Sequence, residues 1–337
     1  MSLKAGLTLM EARREAKAIL GAVARGGDPL AEKRKADAAA TNTLKAVAEE
    51  YLKREAVKLR TSGERSRVME KLIFPKIGDR QIDSIKRSEI VRLLDKVEEN
   101  HGPFRAQAVL AILSKIFNWH ASRDDDFLTP IRRGMARVSP KAYSRDRVLS
   151  DDEIRAVWNA AETFSGPYGH LVRFLLLTAT RRSEAAEMTY KEISGADWII
   201  PAARMKAKLE HVVPLSGAAK AIIHAVPNLG RYVFTLNGRR AANNFAKDKA
   251  RLDEASRVTG WRLHDLRRTA RSLMSRAGVD PDVAERCLAH KIGGVRGVYD
   301  RYAYHKEKAA AFAALAGQIE RIVNPPTDVV VPFRKQS

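Results

Sequence analysis

Six side chains in the second half of the chain form a set that could cleave a phosphodiester bond. They are Arg181, Lys206, His264, Arg267, His290 and Tyr299. Cleavage without a metal needs a nucleophile, fixed cations that meet the charge gathering on the phosphate oxygens, and groups that move protons. Arginine suits the cationic role because its planar fork grips two oxygens at once. A tyrosine nucleophile would keep the bond energy in a covalent phosphotyrosine, so that rejoining needs no ATP.

Local spacing places two of these residues on one helix. His264 and Arg267 are three positions apart in a helical pattern, so both side chains lie on the same face. Arg181 follows the apolar run 171–178, which is short enough to be a buried helix. Taken alone, Arg181 could equally be a surface arginine paired with Glu184, so its assignment depends on the rest of the set.

Two members of the set have close competitors. Lys206 lies in a polar turn between two apolar segments that predict paired strands, and Lys208 lies in the same turn. Tyr302 and Tyr304 are near neighbours of Tyr299. The nine-residue step from the second histidine, and the Asp-Arg pair that follows, favour Tyr299. The order of residues around the Val-Pro-Leu-Ser segment favours Lys206.

The charge balance is strongly basic. Lys and Arg number 61 against 40 Asp and Glu, a formal net charge of +21. Both halves of the chain are positive, so the excess is not a basic tail on a neutral body. This pattern favours a protein that contacts a polyanion such as nucleic acid through more than one domain.

Cysteine use and hydropathy exclude several classes of protein. Cys287 is the single cysteine, so neither an internal disulfide nor a cysteine-based zinc site is expected. No apolar run approaches the ~20 residues that a membrane helix needs, and the N-terminus lacks the apolar core of a signal peptide. We expect a cytoplasmic protein without a cofactor, a metal or a membrane partner.

Composition and periodicity divide the chain into five segments. They are a residual helix with a linker (1–42), a compact four-helix domain (43–130), a basic linker broken by proline (131–149), a larger domain (150–323) and a C-terminal tail (324–337). Capping-box spacing predicts helix starts at Thr8 with Glu11 and at Ser150 with Glu153. The larger domain should hold the strand pair 198–200 and 211–213 and be helical from there to about residue 322, and the tail could add a short strand at 329–331.

The chemical set lies in segments that resemble the catalytic boxes of the tyrosine recombinases, or phage integrases. These segments are Thr178–Glu184, Lys206–Ser216, His264–Thr269 and Leu288–Tyr299. The pattern from Gly293 to Tyr302 and the early segment 9–30 are similar to the prophage and genomic-island integrases in particular. The match covers about residues 8–320, and the order and spacing of all the boxes make it specific.

The resemblance implies a role for each member of the set. Arg181 and Arg267 would clamp the scissile phosphate, and Lys206 would give a proton to the leaving 5′ oxygen. His264 would act in proton transfer at the phosphate, and His290 would hydrogen-bond it. Tyr299 would be the nucleophile that forms a 3′-phosphotyrosyl link. Glu184 would be a buried support for the segment that contains Arg181, and not a catalyst.

Two departures from the family pattern stand out. Ala179 occupies a position where the family usually has glycine, which puts the backbone beside Arg181 in question. The family subgroup also carries a β-rich N-terminal domain that binds accessory arm sites. Only its trailing helix is expected here, in a form of the protein that could be shortened.

The expected fold is mainly α with a small β-sheet, in which a helical core-binding domain and a catalytic domain form a clamp around DNA. The resemblance implies double-stranded attachment sites as partners, a homotetramer on synapsed DNA, and accessory DNA-bending proteins. Integration or excision of a mobile element would be the biological outcome. The alternatives are a non-catalytic DNA-binding scaffold and a type IB topoisomerase. A metal nuclease is disfavoured, because Asp124–Asp126 has no partner carboxylates at a motif spacing and is expected to be a solvated loop.

Overall fold

The chain folds into two compact units that meet in sequence between Arg145 and Asp146. The structure is a computed structural model that describes residues 8–24, 28, 42–55, 61–143, 145–290, 299–300 and 302–325. The described residues are mostly helical and include one three-stranded sheet, in the second unit. The predicted fold class, mainly α with a small sheet, is confirmed, whereas the clamp and the five-segment division remain predictions. None of the described helices is long and apolar enough to cross a membrane.

The first unit is built from amphipathic helices. They are α1 (Leu9–Ala24), α2 (Leu44–Arg54), α3 (Ser62–Val68), α4 (Arg87–His101) and α5 (Pro103–Ala121). The predicted capping box starts α1, since the Glu11 N–H donates to Thr8 Oγ1 (3.4 Å) and the Thr8 N–H donates to Glu11 Oε2 (2.8 Å). The apolar faces of α2, α4 and α5 share one core with fully buried Leu44, Leu94 and Phe117.

The helix that begins at Ser62 changes its winding partway along. It is α-helical to Val68 and continues as a wider π-helical segment, Met69–Gly78. Pro75 lies inside this segment and has no N–H to donate to the regular α-helical ladder. The wider winding is consistent with that missing hydrogen bond.

The loop Asp124–Asp126, which was expected to be solvated, contacts the protein through Asp124. Asp124 Oδ2 lies 3.8 Å from His120 Nε2, and Asp83 Oδ1 lies 3.4 Å from the same nitrogen. These contacts join the end of α5 to the turn Ile82–Ser84. The sequence could not show the contact, because Asp83 is distant along the chain.

The second unit surrounds its small sheet with helices. They are α6 (Asp151–Glu162), α7 (Pro167–Thr178), α8 (Arg182–Ala186), α9 (Gly217–Ala225), α10 (Phe245–Ser256), α11 (Leu263–Arg276), α12 (Pro281–Cys287) and α13 (His305–Val323). The predicted capping box starts α6, where the Glu153 N–H donates to Ser150 Oγ (3.2 Å). Residues 226–244 are not helical, contrary to the expected helical pattern. The suggested strand at 329–331 lies outside the described residues.

The sheet contains the predicted strand pair and one strand more. Strands β1 (Ile193–Ser194), β2 (Asp197–Ile200) and β3 (His211–Pro214) are antiparallel in the order β1-β2-β3. Trp198 pairs with Val213 and is fully buried against Phe174, at 5.6 Å between ring centroids. β1 is only two residues long, which is too short for an alternation pattern to predict it.

Ala179 ends α7 in a left-handed conformation, with φ 52° and ψ 20°, and is fully buried. A non-glycine residue costs roughly 1–2 kcal/mol in this region, because its Cβ crowds the following carbonyl oxygen. The turn therefore explains why glycine was expected here. Alanine adopts the same conformation with some strain.

Ala179→Gly should be less destabilising than a glycine substitution in a regular helix, by about 1–2 kcal/mol. Ala311→Gly is the matched control, since Ala311 lies inside α13 and is also buried. Both variants lose one buried methyl group, so that loss cancels in the comparison. Thermal or denaturant unfolding measures the difference. Equal losses in the two variants would contradict strain at Ala179.

Candidate active site

Arg267 is the most buried charged side chain of the predicted set, only 5% exposed. It lies on α11, one turn after His264. Its Nη1 donates to the Ala179 carbonyl (2.6 Å), and its Nη2 donates to the Leu288 carbonyl (2.5 Å). These two residues directly follow α7 and α12. Carbonyls at helix C-termini lack intrahelical partners and carry partial negative charge, so two helix ends hold the buried cation.

His290 extends this network. Nη2 of Arg267 lies 2.9 Å from His290 Nε2. Since a guanidinium only donates, Nε2 is the acceptor and the ring proton lies on Nδ1. That Nδ1–H donates to Glu285 Oε2 (2.5 Å). Burial raises the pKa of Glu285, but hydrogen bonds from Arg271 and His290 outweigh it and hold the pKa below its usual value. His290 is thereby held in one tautomer.

Arg181 is fixed by a buried carboxylate. Glu184, only 4% exposed, accepts from the Arg181 backbone N–H (2.9 Å) and from its Nη1 (2.7 Å). A guanidinium has five N–H groups, so this pairing leaves others for a ligand. The ion pair between Arg181 and Glu184, which the sequence offered as an alternative to a functional role, is present. It orients the Arg181 side chain.

The two arginines repel each other. Burial, followed by the positive charge of Arg181, lowers the pKa of Arg267 to about 10. Arg267 therefore stays a cation at neutral pH, but at an electrostatic disadvantage. An anion bound near the two guanidinium groups would reduce this repulsion.

His264 is partly buried among positive charges. Burial, and then the positive charges of Arg268 and Arg267, lower the pKa of His264 below its usual value. The imidazole is therefore neutral at pH 7, so one ring nitrogen is unprotonated, although the same effects make it a weaker base than a free histidine. His264 and Arg181 both line an open cleft of about 540 Å³.

Cationic and aromatic side chains alternate along this cleft. The guanidinium of Arg182 lies over Phe245 (4.5 Å to the ring centroid), and Lys249 Nζ lies over Trp261 (3.9 Å). Sequence reasoning missed these residues. Phe245 and Lys249 are four apart on α10, a spacing that could have suggested a shared face. Such a surface suits a ligand that carries both phosphate and flat rings.

Lys206 lies in the connection between β2 and β3, as expected, and is exposed. Lys208 lies in the same turn with φ 54°, a left-handed conformation. The structure thus places both lysines on the predicted turn.

Arg204 attaches this turn to the arginine box. It donates to the Glu184 carbonyl and to the carboxylate of Glu192. Glu192 also accepts from Trp198 Nε1 (2.9 Å). Arg204 was not singled out from sequence, where it appears as one more basic residue of a polar turn.

Tyr299 is on the surface, 79% exposed. Residues 291–298, which contain most of the glycine-rich pattern before it, lie outside the described part of the chain. The structure thus brings together four members of the predicted set: Arg181, His264, Arg267 and His290. It leaves Lys206 and Tyr299 exposed.

A buried histidine that was not predicted from the sequence connects the sheet to the end of α12. His211 on β3 is 8% exposed, and its Nε2–H donates to the Cys287 carbonyl (3.2 Å) at the end of α12. Burial, and then the charge of Lys308, lower the pKa of His211 to about 4. Lys308 itself is 7% exposed and donates to the Val212 carbonyl (2.9 Å). These contacts join the sheet and α13 to α12, the helix that precedes His290.

Comparison with known proteins identifies the class to which this fold and site belong. Residues 147–306 match the phage integrase family, and residues 44–125 match the phage integrase central domain. The chain belongs to the phage integrase family and is a tyrosine-type site-specific recombinase.

Its relatives include prophage integrases, which confirms the resemblance to that subgroup. The chain is 29% identical over 287 residues to prophage integrase IntA of Escherichia coli (strain K12), across 82% of this chain and 69% of IntA. It is 28% identical over 333 residues to prophage integrase IntZ of the same organism, across 94% and 82% of the two chains.

Solved structures share the fold at lower identity. A lambda integrase tetramer bound to a Holliday junction has a TM-score of 0.56 and 17% identity, covering 90% of each chain. The Tn1549 transposon integrase in complex with circular intermediate DNA has a TM-score of 0.60 and 16% identity, covering 80% of this chain and 98% of that one.

The neutral state of His211 predicts a specific loss of stability in acid. The ordinary histidine pKa is about 6.5, so between that pH and about 4 the unfolded chain binds a proton that the folded chain refuses. The stability from this group is fully present above pH ~6.5 and falls by about 2–3 kcal/mol by pH ~4.5. Denaturant unfolding of wild type and His211→Asn at pH 7 and 4.5 measures it. A variant with the same pH dependence as wild type would refute the assignment.

Proposed function

We propose that this recombinase cleaves and rejoins duplex DNA through a covalent bond between Tyr299 and a 3′ phosphate, without metal or ATP. The observation that carries the proposal is the arrangement of Arg181 and Arg267, each oriented by hydrogen bonds and close enough for their positive charges to interact. A neutral His264 lies in the cleft that Arg181 lines, and His290 is held against Arg267 in one tautomer. A phosphate between the two arginines would meet donors on several sides.

The proposed cleavage step uses five of the predicted residues. The Tyr299 hydroxyl oxygen bonds to phosphorus, and the bond from phosphorus to the 5′ oxygen breaks. The tyrosine proton passes to His264, and Lys206 gives a proton to the departing 5′ oxygen. Arg181 and Arg267 stabilise the added charge on the non-bridging oxygens. The reverse step, with a new 5′ hydroxyl, rejoins the strand.

The exposure of the three tyrosines supports Tyr299 as the nucleophile. The Tyr304 hydroxyl donates to Asp300 Oδ2 (2.8 Å), and this hydrogen bond raises the pKa of Tyr304. A hydroxyl that is engaged and harder to ionise is a poor nucleophile. Tyr302 is 58% exposed and packs its ring edge against Tyr304, whereas Tyr299 is 79% exposed.

We infer that the substrate is a pair of double-stranded attachment sites, bound by a homotetramer. The lambda integrase tetramer on a Holliday junction and the strongly basic charge support this inference. In this scheme residues 43–130 form a core-type DNA-binding domain, 131–149 a linker that crosses the DNA, and 150–323 the catalytic domain. Segments 1–42 and 324–337 flank them. The prophage relatives favour integration or excision of a mobile element.

The first test is covalent trapping on a nicked suicide substrate that carries the core site from the DNA flanking the gene. Wild type should form a protein–DNA adduct that persists in EDTA, and Tyr299→Phe should form none. Tyr302→Phe is the matched control and should keep the adduct. An adduct in Tyr299→Phe would move the nucleophile elsewhere, and none with wild type would favour a DNA-binding scaffold. Relaxation of supercoiled DNA without exchange between sites would favour the topoisomerase alternative.

A second prediction separates catalysis from binding. Arg181→Ala and Arg267→Ala should each lower the cleavage rate on the order of 10²–10³-fold, because each removes a donor to the developing charge. Affinity for the same DNA, measured by anisotropy, should change little. Arg276→Ala is the control, since Arg276 lies on the surface of α11 in an ion pair with Asp151 (2.7 Å). Collapse of DNA binding would instead make the two arginines ordinary phosphate anchors.

A further inference from the structure

Asp300, the residue after Tyr299, lies at the centre of a cluster of hydrogen bonds. Its Oδ2 accepts from the Tyr304 hydroxyl (2.8 Å) and from the Arg286 guanidinium, and its Oδ1 accepts from the Tyr302 backbone N–H (3.1 Å). Both carboxylate oxygens are therefore engaged. The side chain is 28% exposed, compared with 79% for the whole of Tyr299.

Arg286 connects this cluster to the rigid part of the site. It lies on α12, and its guanidinium stacks on the Tyr304 ring at 4.0 Å from the centroid. The same helix carries Glu285, which orients His290, and the Leu288 carbonyl that follows it binds Arg267. The segment after Tyr299 is thus tied to α12, and the residue that follows this helix accepts a hydrogen bond from Arg267.

The charges in the cluster strengthen the contact between Asp300 and Arg286. A carboxylate that accepts from a guanidinium forms a charge-assisted hydrogen bond, stronger than one between neutral groups. The hydrogen bond from Tyr304, and then the one from Tyr302 and the positive charge of Arg286, hold the pKa of Asp300 below its usual value against the opposing effect of desolvation. Asp300 is therefore ionised throughout the neutral pH range, and protonation does not release the tie under working conditions.

We propose that Asp300 is a positioning residue for Tyr299. Through Arg286 and Tyr304 it pins the chain one residue beyond the nucleophile to α12 of the same subunit. Consecutive Cα atoms are about 3.8 Å apart, so the anchor restricts where the Tyr299 backbone can go while its side chain stays exposed. The inference rests on the proposed function of Tyr299.

Loss of the anchor should slow the chemical step without weakening DNA binding. A misplacement of about 1 Å in a reacting group can cost up to 10²-fold in rate. We expect Asp300→Ala to reduce single-turnover adduct formation on the suicide substrate about tenfold or more. Asp300→Asn keeps an acceptor but loses the charge, so its rate should lie between those of Asp300→Ala and wild type. Tyr304→Phe removes one hydroxyl from the same cluster and should give a smaller loss in the same direction.

The controls separate positioning from general damage to the fold. Asp152→Asn breaks an ion pair with Arg155 (2.7 Å) on the surface of α6 and should cleave like wild type. DNA affinity and melting temperature are measured for each variant, and both should stay near the wild-type values for Asp300→Asn and Tyr304→Phe.

Asp300→Ala that cleaves within about twofold of wild type would overturn the positioning role, as would a loss explained wholly by weaker DNA binding. Tyr299→Phe is assayed in parallel. If that variant still forms the adduct, the proposed nucleophile fails first, and this failure is distinct from normal cleavage by the Asp300 variants.

Discussion

The site depends on the buried guanidinium of Arg267, which stays charged although its hydrogen-bond partners are neutral groups. The hydrogen bonds of Arg267 in the described structure run to the Ala179 and Leu288 carbonyls and to His290, none of which carries a full negative charge. A carboxylate in contact with Arg267 would compete with a phosphate for the same N–H groups. Carbonyls at two helix ends offset part of the desolvation cost and leave the cation free to attract an anion. The position of the helix ends is therefore set by the arginine that they hold.

The two segments that supply carbonyls to Arg267 both contain a strained turn. Ala179 and Ala289 both adopt φ of 52°, a conformation that alanine rarely takes. Ala179 lies two residues before Arg181, and Ala289 lies directly before His290. Each turn follows a helix, and a carbonyl at each turn accepts a hydrogen bond from Arg267. Backbone strain at these two turns thus lies beside residues of the candidate active site, as strain at functional sites generally does.

The sequence allowed the local features to be predicted and left the long-range ones undetermined. The capping box at Ser150, the pair β2 and β3, and the shared helix face of His264 and Arg267 depend on neighbours a few residues apart, and the structure contains them all. The contacts of Arg204 with Glu184 and of His211 with Cys287 join distant segments, and no periodicity encodes them. The same limit explains why β1 and the interrupted region after α9 were missed. The candidate residues could be chosen from spacing and resemblance, but not the carbonyls, the tautomer or the aromatic lining that give them their properties.

The structure separates the parts of the chemistry that must be rigid from the part that is presented to the substrate. Arg181, Arg267 and His290 are held by hydrogen-bond partners, so they would need little reorganisation on binding a phosphate. Tyr299 is exposed and has its nearest described anchor at the next residue. If Tyr299 is the nucleophile, as proposed, its exposure means that it would be aligned with the phosphate only when DNA is bound. Cleavage would then be coupled to correct binding of the substrate.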